Sequence, residues 1–386
     1  MRQLLRSEPV ISSATLVGFL IILIGVYGFW LGGEFLNTGD RVFDVYQNVS
    51  PLLLSIGIVV ALSAGQFDLS AGSMATMSVY LTVGLASRQD LPLPLVLVVV
   101  LVVGVAGGLL NAFLVVGLRI NAFIATLGTG AVFTGISELY SGGQTMTFTT
   151  NASAAQAASW FIGPRGFGSF QAKPPLVLTW LVVALVLWCA WSAARLHWIG
   201  AEQGLRRDLM LGAGAVIVAV VLQVLGIPSQ LNWTILVLLV AASVVWVMLR
   251  QTALGRSLYA TGGNPVAARL AGIGVSRLMV LAFVVSGLFA SLAGIVLTAT
   301  QGNAVPGIAD GFLLPAYAAA FLSTVIMSSG RFHIWGTVAG GLAVVWVAQG
   351  LVIGGLPFTW TDLINGAVLI IAVSLSTTLR RALMAR

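Results

Sequence analysis

The chain has 386 residues, of which 59% are hydrophobic and only 8% charged, with a net charge of +7. Soluble domains carry about 25% charge, and a mean hydropathy of +1.04 places this chain among polytopic membrane proteins. One cysteine, Cys189, and two histidines exclude an internal disulfide and argue against a Cys/His metal cluster. The positive charge is spread over loops between apolar runs, which serves membrane orientation and gives no nucleic-acid surface.

Apolar runs near the ~20 residues that a helix needs to cross hydrocarbon fall at 14–32, 46–64, 69–87, 92–117, 122–140, 176–194, 209–226, 231–249, 278–300, 313–329, 334–353 and 360–379. The expected fold is therefore an all-α polytopic membrane protein of about twelve transmembrane helices, forming one transmembrane domain over 1–386. The first run follows Arg2 and Arg6. It outlasts a signal-peptide core and no small-x-small cleavage site follows it, so it reads as a permanent span. With both termini cytoplasmic, the outside segments hold only Arg41, Arg88, Arg165 and Lys173, and every other Lys and Arg of the 18 falls inside. That asymmetry is the positive-inside pattern. The weakest run is 313–329; were it only re-entrant, the tail with Arg380, Arg381 and Arg386 would lie outside.

Small-xxx-small spacing at Gly28/Gly32, Gly104/Gly108, Gly336/Gly340 and Gly350/Gly354 predicts close helix packing. The clean apolar run 49–64 is about 24 Å long as a helix, short of the ~30 Å hydrocarbon thickness. The polar break after it, 63–73, is thus placed below the membrane surface, where broken helices line cavities or are buried in protein. Asp68 in that break either caps the helix beginning at Leu69 or, with Ser70, lines a pathway. Asn111, Asn121 and Thr126 flank the inside turn around Arg119. They either join helices by hydrogen bonds of about 1 kcal/mol or contact a solute.

The longest outside segment, 141–175, is rich in Ser, Thr, Gln and Gly and then turns aromatic at Trp160, Phe161, Phe167 and Phe170. It is either an interfacial loop with aromatic anchors or a docking surface for an external partner. The runs 209–226 and 231–249 join through a tight turn at Gly226 and Pro228. They read as an inserted hairpin, 209–249, because removing both leaves later orientations unchanged. The inside loop 250–277 holds a miniature helix with both ends written in. Asn264 suits the N-cap, Pro265 the first helical position, and Gly272 the left-handed stop.

Several chemistries are missing. The only Lys, Lys173, is followed by Pro174, so no GxxxxGK[ST] phosphate loop exists and any ATP is hydrolysed by another subunit. The acids nearest the interior are Asp68 and Glu138, and no acid pair sits mid-span. That counts against an ion-coupled secondary carrier, the alternative reading. His197 and His333 both fall at the inner face, which leaves no base for an intramembrane nucleophile. No catalytic residue and no metal site are expected in this chain.

Five stretches carry a resemblance. GQFDLSAGS at 65–73, GLLNAFLV at 108–115, FIATLG at 123–128, GGNPVAARLAGI at 262–273 and SGLFASLAGI at 286–295 resemble the signatures of permease subunits of simple-sugar ABC importers, the ribose/xylose type. The similarity runs from about residue 46 to the C-terminus. It implies a ten-helix permease core in the bacterial cytoplasmic membrane, paired with a second permease copy. A cytoplasmic ABC ATPase carrying ATP and magnesium would drive it, and a periplasmic or lipid-anchored sugar-binding protein would deliver a monosaccharide. It also implies that 250–277 is a coupling loop, with Gly262, Asn264, Ala267, Ala268, Arg269 and Gly272 at its matching positions, and that Asp68, Ser70, Asn111, Asn121 and Thr126 line or shape the translocation pathway. Three departures stand out. The hairpin 209–249 resembles the longer, xylose-type members. Val266 replaces a glutamate of the family pattern. The glycine-rich pattern after 313–329 is replaced by the unrelated 322–337.

Overall fold

A computed structural model describes residues 21–148, 159–196, 219–220, 222–326 and 331–384. Among them, five helices are long and apolar enough to cross a membrane: Leu93–Gly117, Ala122–Ser141, Trp233–Gln251, Val275–Gln301 and Ile334–Ile353. A bent pair, Thr38–Gln47 and Val49–Ser63, meets at 57° and forms a sixth candidate. Helical residues lie within every predicted span, although of 209–226 only 219–220 and 222–226 are described, with 219–220 and 222–224 helical. Most of that run, and with it the first half of the predicted hairpin, lies outside the described residues.

In chain order the helices are α1 (Ile21–Leu31), α2 (Gly33–Leu36), α3 (Thr38–Gln47), α4 (Val49–Ser63), α5 (Ala71–Ser87), α6 (Leu93–Ala112), α7 (Ala122–Ser141), α8 (Leu176–Leu196), α9 (Ile227–Gln230), α10 (Trp233–Gln251), α11 (Ala253–Gly263), α12 (Pro265–Leu270), α13 (Val275–Gln301), α14 (Leu313–Ile326), α15 (Ile334–Ile353) and α16 (Thr361–Met384). A π-helical turn, Phe113–Gly117, prolongs α6. The strands β1 (Met146–Thr147) and β2 (Asn303–Ala304) form a short antiparallel pair with Met146 opposite Ala304.

α4 is the axis of the bundle. All of its 15 residues are buried, as expected of a helix that is apolar all round. α13 packs along α4, α5 and α6, while α14 packs on α15, α16 and α4. The α6–α13 contact is made by glycine. A Cβ placed on Gly104 would stand 2.6 Å from the Gly287 carbonyl and collide with Ser291, and one on Gly108 would stand 2.7 Å from Val284 Cα. The predicted pair Gly104/Gly108 therefore brings two backbones together, as small residues do between membrane helices. Gly350 and Gly354 act on a different partner: their missing side chains admit the rings of Tyr27 and Trp30, 2.5 Å from where each Cβ would sit. Outward faces stay apolar, with Val98, Val102, Leu139 and Leu181 all more than half exposed. A lipid solvent makes such a surface favourable.

Two departures from regular spans position the polar centre of the bundle. α4 is about 22 Å long and stops at Ala64, so the break after it sits within the bundle. α14 is described over Leu313–Ile326, and the remainder of the predicted span 313–329 lies outside the described residues. The segment feeding α14 turns back along α5. After β2, the Ala309 N–H donates to Thr76 Oγ1 (3.2 Å), and Thr76 Oγ1 donates to Asp310 Oδ1 (3.1 Å). A Cβ on Gly72 would stand 3.2 Å from the Ala309 carbonyl. The chain thus re-enters the bundle almost to the start of α5 before α14 begins.

Part of the loop 141–175 is also described. Phe161 is buried and stacks on Phe167 with ring centroids 6.0 Å apart. Phe170 packs on Phe43 and Tyr46 of α3, Tyr46 donates to the Gly168 carbonyl (2.7 Å), and Lys173 donates to the Gln230 carbonyl (2.7 Å). Trp160 is left exposed.

Candidate functional site

The polar break between α4 and α5 is a buried hydrogen-bonded knot around Asp68, which is 1% exposed. Its Oδ1 accepts from the Ser70 N–H (3.0 Å), the Ser70 hydroxyl (2.6 Å) and Asn111 Nδ2 (3.4 Å). Its Oδ2 accepts from Ser286 of α13 at 2.6 Å. The backbone is closed as well: Asp68 N–H donates to Tyr317 Oη of α14, and that hydroxyl donates to the Asp68 carbonyl, both at 3.0 Å. An exposed amide or carbonyl at this depth costs several kcal/mol, so a tyrosine tip supplies what a helix would otherwise supply. Asp68 is not the N-cap expected from sequence: α5 begins at Ala71 with Ser70 in the cap position and no side-chain cap bond, and the Asp68 carboxylate instead holds Ser70 and ties together segments from four helices.

A second layer extends the knot. Asn111, at the end of α6, also donates to Ser70 Oγ (2.8 Å) and accepts from Thr129 of α7 (2.5 Å). Thr126 Oγ1 accepts from Leu69 N–H (3.1 Å) and donates to the Ala122 carbonyl (2.7 Å). Asp68, Ser70, Asn111 and Thr126 are therefore brought together. Asn121 is not: it is exposed and caps α7, accepting from Phe123 N–H at 2.9 Å. Thr129, Ser286 and Tyr317 were not singled out by sequence. Thr129 stands three residues from Thr126 on the same helical face, which was the available signal, and Ser286 opens one of the family-like stretches. Tyr317 lies in an apolar run and gave no signal beyond its polar tip.

The miniature helix forms as the sequence predicts. Asn264 Oδ1 accepts from the N–H groups of Val266 (3.1 Å) and Ala267 (3.0 Å), Pro265 opens α12, and Gly272 has φ +80°. Ala268 is 4% exposed and faces the protein, whereas Val266 is 65% and Leu270 85% exposed, with Arg269 and Ala267 also open. α11 is pinned at its other side by Tyr259, whose hydroxyl donates to the Phe332 carbonyl at 2.7 Å. Tyr259 titrates above its ordinary range because burial disfavours the phenolate.

These two features touch. A Cβ on Gly65, which has φ +76°, would stand 3.2 Å from Gly262 Cα; one on Gly262 would stand 2.9 Å from Gly65 N and collide with the Ser63 carbonyl. The end of α11, one step before α12, is thus seated backbone to backbone on the turn that leads to Asp68. No group of three or more His, Cys, Asp or Glu that could hold a metal occurs among the described residues.

Comparison with known proteins agrees with this architecture. A family profile described as branched-chain amino acid transport system / permease component matches residues 44–196 and 202–373. The chain is 28% identical over 363 residues to the xylose transport system permease protein XylH of Escherichia coli (strain K12), covering 89% of this chain and 88% of that protein. It is 26% identical to the autoinducer 2 import system permease protein LsrC of Klebsiella pneumoniae, over 99% of this chain and 90% of the other. It is also 26% identical to the ribose import permease protein RbsC of Escherichia coli (strain K12), with 87% and 85% covered. No solved structure is matched.

Proposed function

The chain belongs to the branched-chain amino acid transport system / permease component family, a multi-pass membrane permease family, and on that premise we propose that it is the membrane-spanning subunit of an ATP-driven importer of a monosaccharide. The relatives' names, xylose and ribose permeases among them, support a sugar as the solute. The observation that carries the mechanism is the seating of Gly262 against Ser63 and Gly65. In this reading twelve spans lie in the bacterial cytoplasmic membrane with both termini inside. A cytoplasmic ATPase subunit, which holds the ATP and magnesium, grips the exposed face of α12 formed by Val266, Arg269 and Leu270. A movement of α12 reaches the Asp68 turn through one backbone contact. The Asp68 knot then passes it to α5, α6, α13 and α14 together.

Asp68, Ser70, Asn111 and Thr126 accordingly shape the pathway from behind its wall, since their polar atoms are already engaged with one another. Asn121 holds the inside turn. A binding protein on the outer face delivers the sugar, and a second copy of the permease completes the membrane unit. Purification of the chain with its partner ATPase in nanodiscs tests this reading, wild type against Arg269→Glu. Reversing the charge is expected to weaken ATPase capture, or to cut binding-protein-stimulated hydrolysis, while the fold is retained. A chain that captures no ATPase yet moves solute down an ion gradient in proteoliposomes overturns the reading.

A further inference from the structure

Between α5 and α7 lies an open groove with a cavity of about 430 Å3, lined in part by Leu69, Ser73, Leu127, Thr134, Gly135 and Glu138. Its α7 residues recur at three-, four- and one-residue steps, so they occupy one helical face. From Leu127 to Glu138 that face runs about 16 Å. Its inner end is Leu69, the residue next to Asp68, whose N–H is held by Thr126.

The hydroxyls of this groove differ from their neighbours. On the same helices Ser78, Thr82 and Ser137 each donate back to a carbonyl four residues earlier, at 2.8, 2.7 and 2.8 Å. Such back-bonding is the usual way for a membrane helix to satisfy a hydroxyl. Ser73 and Thr134 make no hydrogen bond among the described residues, and the Glu138 carboxylate accepts none there either. Two hydroxyls and a carboxylate are therefore left facing one cavity, with leucines on the same wall. A Cβ on Gly135 would meet nothing within 4 Å, so the groove is open beside them.

We propose that this groove is the permease's solute subsite, taking a neutral polyhydroxylated molecule of monosaccharide size. The inference rests on the importer reading and adds the residues that touch the sugar. A carboxylate accepts from two adjacent hydroxyls of such a ring, Ser73 and Thr134 offer both donor and acceptor capacity, and the leucines meet its C–H face. The volume lies within the range of about 300–1,000 Å3 typical of small-molecule sites. The same carboxylate repels phosphorylated sugars and other anions, which sets the class of solute admitted.

The test uses the complete importer, permease with ATPase and binding protein, in proteoliposomes, with radiolabelled neutral pentoses and hexoses as probes. Glu138→Gln is expected to lower uptake by roughly tenfold or more, the scale of one lost hydrogen bond to a charged group, and Thr134→Val by roughly two- to tenfold, the scale of a neutral one. Gly135→Phe, whose Cβ would meet nothing within 4 Å and whose ring would occupy the groove, is expected to abolish uptake. Assembly with the ATPase should be unchanged in all three. A Thr134→Cys variant in a Cys189→Ser background should be labelled by a water-soluble maleimide and protected during turnover. Wild-type uptake driven by ATP, with all three variants transporting as wild type, overturns the subsite and leaves the importer reading standing. A Thr134→Cys protein that stays unlabelled, because lipid or the second copy fills the groove, also overturns the subsite. A wild type that imports no neutral sugar with ATP overturns the importer reading itself, and the subsite with it.

Discussion

Removing the Ser286 hydroxyl is the most direct probe of the knot at Asp68. In Ser286→Ala the Oδ2 atom loses a 2.6 Å bond from Ser286 and has no other partner among the described residues. A buried hydrogen bond to a charged group contributes about 1.5–3 kcal/mol, so the loss should fall in that range. Asp68→Asn replaces one accepting oxygen by an NH2 that can only donate and removes the charge from the other, and a loss of about 2–4 kcal/mol is expected from the same scale. Because the two side chains share one bond, the double variant should cost less than the two losses added, by about 1–2 kcal/mol. The chain supplies its own reporter. Cys189 is the only cysteine and is 0% exposed, so a thiol-reactive dye should report unfolding in detergent as it uncovers. At about 2–4 °C per kcal/mol for chains of 150–250 residues, each single variant should lower the apparent midpoint by several degrees or less in this longer chain. Additive losses, or a Ser286→Ala protein as stable as wild type, would show that the serine and the carboxylate do not depend on each other.

Tyr317→Phe removes the hydroxyl that bonds both the Asp68 N–H and its carbonyl, and should destabilise by about 1–3 kcal/mol, read in the same dye assay. Gly104→Leu forces a side chain against the Gly287 carbonyl and the Ser291 side chain, and the folded yield on size-exclusion chromatography should collapse while Gly128→Leu, where a Cβ meets nothing within 4 Å, is tolerated. Gly262→Ala places a methyl against the Ser63 carbonyl and Gly65 N, an overpacking worth about 1–3 kcal/mol. In the assembled importer it should lower sugar moved per ATP hydrolysed, whereas a merely structural defect would lower both in proportion.

Helix positions were legible because hydrocarbon demands long apolar runs and charge marks their ends. The caps of α12 were legible because Asn, Pro and Gly each have a local physical role there. The short length of 49–64 correctly announced a break inside the bundle. What could not be read was distance across the fold. Asp68 and Ser286 are 218 positions apart, and neither carries a mark that names the other. Nor does periodicity reveal that the chain before α14 turns inward, since residues 305–312 look like an ordinary loop until Thr76 is found holding Asp310. The same limit hid the contact between the two motifs, because Gly65 and Gly262 are notable for the side chains they lack.

That glycine contact has a mechanical character. Side chains between two moving parts act as cushions, since their rotamers give way before the backbones do. Here the backbones bear on each other with no cushion between them. No hydrogen bond joins Gly262 to Ser63 or Gly65 among those the described residues make, so the joint resists approach and offers little against separation. On the importer reading proposed above it would act as a thrust bearing more than a hinge: a stroke driving the two segments together would be delivered almost undiminished, and the return stroke would come from elsewhere in the bundle.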